Sequence, residues 1–153
     1  MKALVIFDSE FGNTERMAQA IAYTLGDFGD VKSLRVQNVR PPDLDGVDLV
    51  VVGGPTQRHG LSQRMRDFLV SMPDATWLGK GAATFDTRRS MHWLITGSAA
   101  RGIAKKLRQK GCVLLLPPES FLVMAHEGPT VDGEMTHAAA WAKKLGQTFQ
   151  QKP

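Results

Sequence analysis

Cysteine occurs once in the 153 residues, at Cys112. No intramolecular disulfide can form, and the disulfide frameworks of small secreted domains are excluded. A lone cysteine between a predicted helix and an apolar run is expected as a small buried hydrophobe. Long apolar runs are lacking too. The opening Met1–Phe7 has one basic residue and an apolar run too short for a signal-peptide core, and acidic and glycine residues follow at once. No stretch approaches the ~20 apolar residues of a membrane span, so no membrane span and a cytoplasmic location are expected. Repeats, low-complexity tracts and linkers are missing; Pro41-Pro42 and Pro117-Pro118 read as punctuation between periodic segments. The histidines, His59, His92, His126 and His137, show no ligand spacing, and no metal is expected. No Ser-His-Asp or Cys-His arrangement is evident.

What is present is enough for one domain over residues 1–153, long enough to bury its own core. Net charge is +4. A basic balance suits nucleic acid, an anionic surface or an acidic protein. The densest group is Arg101, Lys105, Lys106, Arg108 and Lys110, most of it near the C-terminal end of a predicted helix, where cations suit the macrodipole. It reads as a solvated face, and with no recognition motif beside it no nucleic-acid partner is expected.

Apolar patterning alternates strand and helix. Strands are predicted at 2–7, 31–36, 48–53 and 81–85, with a fifth at 113–116 and 120–123 bent by the two prolines. Helices are predicted at 14–25, 62–72, within 93–110 and at 134–149. Five strands alternating with four helices imply βαβ units, hence an α/β three-layer sandwich with a five-stranded parallel sheet between two helix layers. Such a doubly wound sheet binds its ligand outside the carboxyl ends of the strands. The loops after Phe7, Gly53, Phe85 and Val123 therefore matter most.

The first loop reads Ser9-Glu10-Phe11-Gly12-Asn13-Thr14 between a buried strand and a helix. Gly12 permits a tight turn, and the free N–H groups of the first helical turn converge beside the positive end of the helix dipole. Ser9, Asn13 and Thr14 can add hydrogen bonds, which suits a phosphate dianion. No Gly-Lys-Ser/Thr follows and no second glycine stands nearby, so neither the ATPase loop nor the dinucleotide fingerprint applies. The plain alternative is a capped helix start with Asn13 or Ser9 as cap.

The Gly12-Asn13-Thr14 core resembles the FMN-phosphate loop of the flavodoxin family, usually Thr/Ser-x-Thr-Gly-Asn-Thr; Phe11 departs from it, removing one hydroxyl donor worth about 1–2 kcal/mol. The resemblance covers nearly the whole chain in segment order. It implies the strand order 2-1-3-4-5 and FMN as cofactor. It also implies that Pro55, Thr56, Gln57, Arg58, His59 and Gly60, after the third strand, cover one face of the flavin ring. Asp86, Thr87 and Arg88, in the loop after the fourth strand, are then expected at the pyrimidine edge. No Tyr or Trp stands at the usual early place of that loop; Trp93 or His92 can stack instead, while Trp93 can equally belong to the core. Asp86 is expected to orient a loop amide or pair with Arg88. The polar loop Ala125–Gly133 is expected to rim the site or meet a partner.

Arginines carry a further expectation. Reduction places negative charge on the flavin, and Arg58, Arg88 or Arg89 would stabilise it and raise the potential relative to carriers that surround the ring with carboxylates. The leading reading is an FMN-binding electron carrier, monomer or homodimer, serving redox protein partners, acidic ones by charge. An FMN-dependent oxidoreductase, similar to quinone reductases or protoporphyrinogen-oxidising proteins, and a binding protein of this fold that has lost flavin are the alternatives.

Overall fold

In the computed structural model of the chain, residues 1–124 and 128–153 are described, Trp93 by its backbone alone. Strand β1 (Lys2–Phe7) is followed by helix α1 (Asn13–Leu25), β2 (Asp30–Arg35), β3 (Leu49–Pro55) and α2 (Gln63–Ser71). Then come β4 (Gly81–Arg89), the short α3 (Trp93–Thr96), α4 (Ala99–Gln109), β5 (Val113–Leu114), β6 (Glu119–Val123) and α5 (Glu134–Gln150). The sheet order is β2-β1-β3-β4-β5, and every one of these pairings is parallel. After the two prolines, β6 resumes beside β4, so the expected fifth strand is two short pieces on one edge.

Strand parity explains the layers. Successive side chains of a strand point to opposite faces. In β1, Ala3, Val5 and Phe7 meet Met17 and Ile21 of α1 and Trp141 and Leu145 of α5. Leu4 and Ile6 face the other way, toward Met65 and Leu69 of α2 and Ile103 and Leu107 of α4. Both faces are therefore buried, which is why the β1 and β3 segments read as continuous apolar runs. Phe85, Phe121 and Trp141 pack mutually with ring centroids 6.0–6.3 Å apart. Cys112 is buried as expected, its Sγ 3.4 Å from the Trp77 carbonyl. Burial pushes the thiol up from 9.0 to about 11.

Two elements differ from the sequence expectation. Strand β4 runs four residues past Phe85, so Asp86, Thr87 and Arg88 are strand residues and not loop residues. Their backbone is recruited by β6, with Phe85–Arg89 in parallel register with Glu119–Val123. The helix expected within 93–110 is broken into α3 and α4 at Gly97, whose φ of +73° belongs to the left-handed region.

Candidate functional site

All strands are parallel, so the segments after β1, β3, β4 and β6 gather at one end of the sheet. The turn after β1 is built around Gly12, φ +93°, which precedes α1. Ser9 Oγ accepts from the amides of Gly12 (3.2 Å) and Glu15 (3.3 Å), fixing the turn. Among the described residues, the Glu10, Phe11 and Thr14 amides find no acceptor. A Cβ on Gly12 would point into open space. Unpartnered donors at a helix N-terminus, beside an open cleft, are what a phosphate monoester requires.

That cleft, a narrow one, is lined by Ser9, Glu10, Phe11, Asn13, Thr14, Pro55, Gln57, Thr87, Arg88 and Val123. Thr14 and Thr87 share a buried hydroxyl–hydroxyl bond of 2.8 Å at its floor. Asn13 donates from Nδ2 to the Gly128 carbonyl at 2.7 Å, tying the loop after β1 to the one after β6. Gln57 donates from Nε2 to Glu10 at 2.8 Å across the rim.

A second cleft, about 340 Å³, is lined by Thr56, Arg58, His59, Arg88, Arg89, Met91, Ile95 and Thr96. One wall is the hairpin Gln57–Gly60, whose end residues exchange two backbone bonds of 2.8 Å. Arg58 and His59 at its tip both have positive φ, 46° and 68°, the combination a type I′ turn demands. The turn is held there by Gly97, which packs so closely that a Cβ would fall 2.0 Å from the His59 carbonyl oxygen. Arg88 lines both clefts, its Nε donating to Ser120 at 3.0 Å and a terminal nitrogen to the Met91 carbonyl. It also borders a third cleft with Ser98, Arg101, Glu119 and His137.

Two fully buried carboxylates support these walls from beneath. Asp8 accepts from Ser62 Oγ at 2.5 Å and pairs with Arg64 at 3.0 Å, joining the end of β1 to the start of α2. Asp86 accepts from Ser98 Oγ (2.6 Å) and the Ala100 amide (3.0 Å), fixing the start of α4. Of the two roles expected for Asp86, orienting an amide is the one seen; it has no ion pair with Arg88, which bonds Ser120 instead, and it lines neither cleft.

The expected site residues of the first loop thus share one cleft, with Gly12 as its turn, and Pro55, Gln57, Thr87 and Arg88 join them. Thr56, Arg58 and His59 border the second, and Gly60 closes the hairpin. Thr56 is itself buried, accepting from the Ala99 amide at 3.0 Å. His92 is exposed, and its Nδ1 accepts from the Leu94 amide at 3.2 Å. The Trp93 side chain and residues 125–127 of the last loop lie outside the described residues. Missed in the sequence were Val123, the last residue of β6, and Met91, Ile95 and Thr96 in the segment after β4; only their place at or beyond the carboxyl ends of strands could have flagged them.

Comparison with known proteins speaks to family and fold. The sequence pattern of the family described as Flavodoxin matches residues 5–141. Flavodoxin 1 of Salmonella typhimurium (strain LT2) is 34% identical over 83 residues, 53% of this chain; the alignment spans about half of that relative, 46% of its length. Among solved structures, a flavodoxin from the domain Archaea superimposes with a TM-score of 0.84 at 24% identity, covering 99% of this chain and 100% of its own. Flavodoxin 1 of Bacillus cereus gives 0.80 at 22%, with both chains fully covered. At those identities the superpositions speak for the fold.

Proposed function

The chain belongs to the flavodoxin family, and on that premise we propose that it binds FMN and carries electrons between redox proteins. One observation carries the reading: the turn Glu10–Thr14, with the amides of Glu10, Phe11 and Thr14 left for a ligand, opens into a cleft that Arg88 joins to a second, larger one between two loops. The amides of Glu10, Phe11 and Thr14, with the Thr14 hydroxyl nearby, would hold the phosphate. Phe11, half exposed, offers the phosphate no side-chain donor, so the backbone carries that task. The larger cleft, with the hairpin on one side and Met91 and Ile95 on the other, would hold the ring.

Bound FMN supplies one- and two-electron redox chemistry that no side chain here can perform. The protein supplies position and field. Arg58, Arg88 and Arg89 border the ring cleft without a carboxylate among its lining residues, so charge added on reduction is stabilised and the potential is expected above that of carriers with acidic ring sites. No described helix is long and apolar enough to cross a membrane. The cytoplasm is the proposed compartment, a monomer or homodimer the proposed form, and acidic redox proteins the proposed partners, on the strength of the net charge of +4.

The test is the visible spectrum of the purified protein after incubation with FMN and desalting, with calorimetry of FMN binding beside it. Retained flavin bands with quenched fluorescence are expected. A colourless protein and no heat of binding refute the reading and favour a flavin-free binding protein on the same fold.

A further inference from the structure

We infer that partners dock on one flank of the site, the surface between α2 and α3, and that this flank is built for an acidic redox protein carrying a small apolar patch. The inference rests on the carrier reading above and adds to it a place and a recognition chemistry.

The argument starts from charge. Beside the ring cleft lies another, lined by Gln57, Arg58, Leu61, Ser62, Gln63 and Arg66, and Arg58 belongs to both. The two together form a continuous concave strip holding Arg66, Arg58, Arg88, Arg89 and His59, and no carboxylate lines either. Arg58, Arg66 and Arg89 are in no ion pair among the described residues. The Arg66 guanidinium lies over the hairpin, 3.2 Å from where a Gly60 Cβ would stand. Focusing by a one-signed concave strip raises the local concentration of anionic partners.

The strip ends at the turn after β1. Exposed Glu10 there accepts from Gln57 of the hairpin, and Arg35 beyond it is paired with Glu15. An acidic partner is therefore drawn toward the side of Arg66, Arg58 and Arg89 and away from Glu10, which orients its approach. Apolar surface follows the same division. Met91, Leu94 and Ile95, respectively 46%, 70% and 56% exposed, stand together on and before α3, at the end of the arginine strip. A four-residue helix presenting two adjacent apolar side chains to water gains nothing for the fold by doing so. An apolar contact beside a steering field is the composition of a small, transient interface. A second copy of this chain does not fit, because it would bring the same arginines against themselves.

The test uses the full chain, with and without added FMN. The probes are an acidic iron–sulfur ferredoxin, the basic cytochrome c, and a single-stranded oligonucleotide of about 12 nucleotides. Affinities are measured by calorimetry as salt is raised. Ferredoxin is expected to bind, and to lose about tenfold in affinity between roughly 20 and 200 mM salt. Arg66→Glu should weaken it about tenfold while FMN affinity stays the same, because Arg66 lines neither FMN cleft. Leu94→Ser should weaken it about threefold with an unchanged salt dependence, as loss of a partly buried apolar contact does. Cytochrome c binding as tightly as ferredoxin, an oligonucleotide binding more tightly, or an Arg66→Glu variant that binds ferredoxin normally would each overturn the inference. Failure to load FMN with ferredoxin still bound removes the carrier reading and leaves the surface. FMN loading without ferredoxin binding removes the surface alone.

Discussion

Replacing Gly97 by alanine puts the joint between the two loops of the ring cleft under direct test. Its φ of +73° costs an L residue about 1–2 kcal/mol. The new Cβ would also stand 2.0 Å from the His59 carbonyl oxygen and 2.3 Å from its carbon, so backbone has to move. Overpacking of this kind adds about 1–3 kcal/mol. The cheaper escape is the Gln57–Gly60 hairpin, tied down by its own two bonds and the Gln57–Glu10 contact, rather than the Thr56–Thr87 pairing of the sheet. Part of the collision is thus relieved by displacing the wall of the ring cleft. Gly79→Ala is the matched control, with φ +78° and nothing within 4 Å of the added Cβ at the other end of the sheet. Urea unfolding should place Gly79→Ala about 1 kcal/mol below the parent and Gly97→Ala about 2–3 kcal/mol below it. Calorimetry should show FMN affinity reduced about tenfold or more in Gly97→Ala and unchanged in Gly79→Ala. Equal stability and equal FMN affinity in the two variants would refute the idea that Gly97 holds the hairpin.

Other outcomes follow from single contacts. Asp86→Ala removes the acceptor of Ser98 and of the Ala100 amide, and should cost about 2–3 kcal/mol in urea unfolding; an unchanged midpoint would mean that the start of α4 is held by other bonds. Arg88→Gln takes one positive charge from a partly dry site, worth about 1 kcal/mol for an added electron, so the FMN potential should fall by ~40 mV in a redox titration. A rise would reverse the assigned electrostatics. Cys112 holds its proton in the folded protein up to about pH 11, because burial disfavours the thiolate. Its contribution to stability is therefore complete below pH 9 and is lost as pH climbs from 9 toward 11, where the unfolded chain ionises first. Unfolding measured across that window should show a decline that Cys112→Ala flattens.

Much of this architecture was legible in local pattern, and the reason is burial. β1 lies inside the sheet with both faces covered, so its apolar run marks its limits, and the amphipathic stripe of α1 marks its inner face. The polar end of β4 was not legible. Asp86 to Arg89 have the composition of a loop, and only pairing with β6, more than thirty residues on, makes them a strand. The left-handed turn proposed for the phosphate was legible through Gly12, although Ser9 Oγ is engaged by two amides of its own turn, the capping role given as the alternative. The carboxylate supports were invisible because their partners are distant: Asp8 meets Ser62 and Arg64 across a whole βα unit. Nothing in Arg58-His59 announces two left-handed residues, since the backbone there is imposed by Gly97 from another loop.

Arg88 belongs to three clefts at once, the one at the turn after β1, the one proposed for the ring and the one at the Glu119–His137 pair. A shared side chain has one rotamer and one charge to divide among its neighbours. Whatever occupies one cleft therefore alters the affinity of the next, and thermodynamic linkage makes the alteration mutual. A partner that prefers the reduced protein by tenfold must, by the same tenfold, make reduction easier while it is docked; for this chain, choosing a partner and setting a driving force are one transaction.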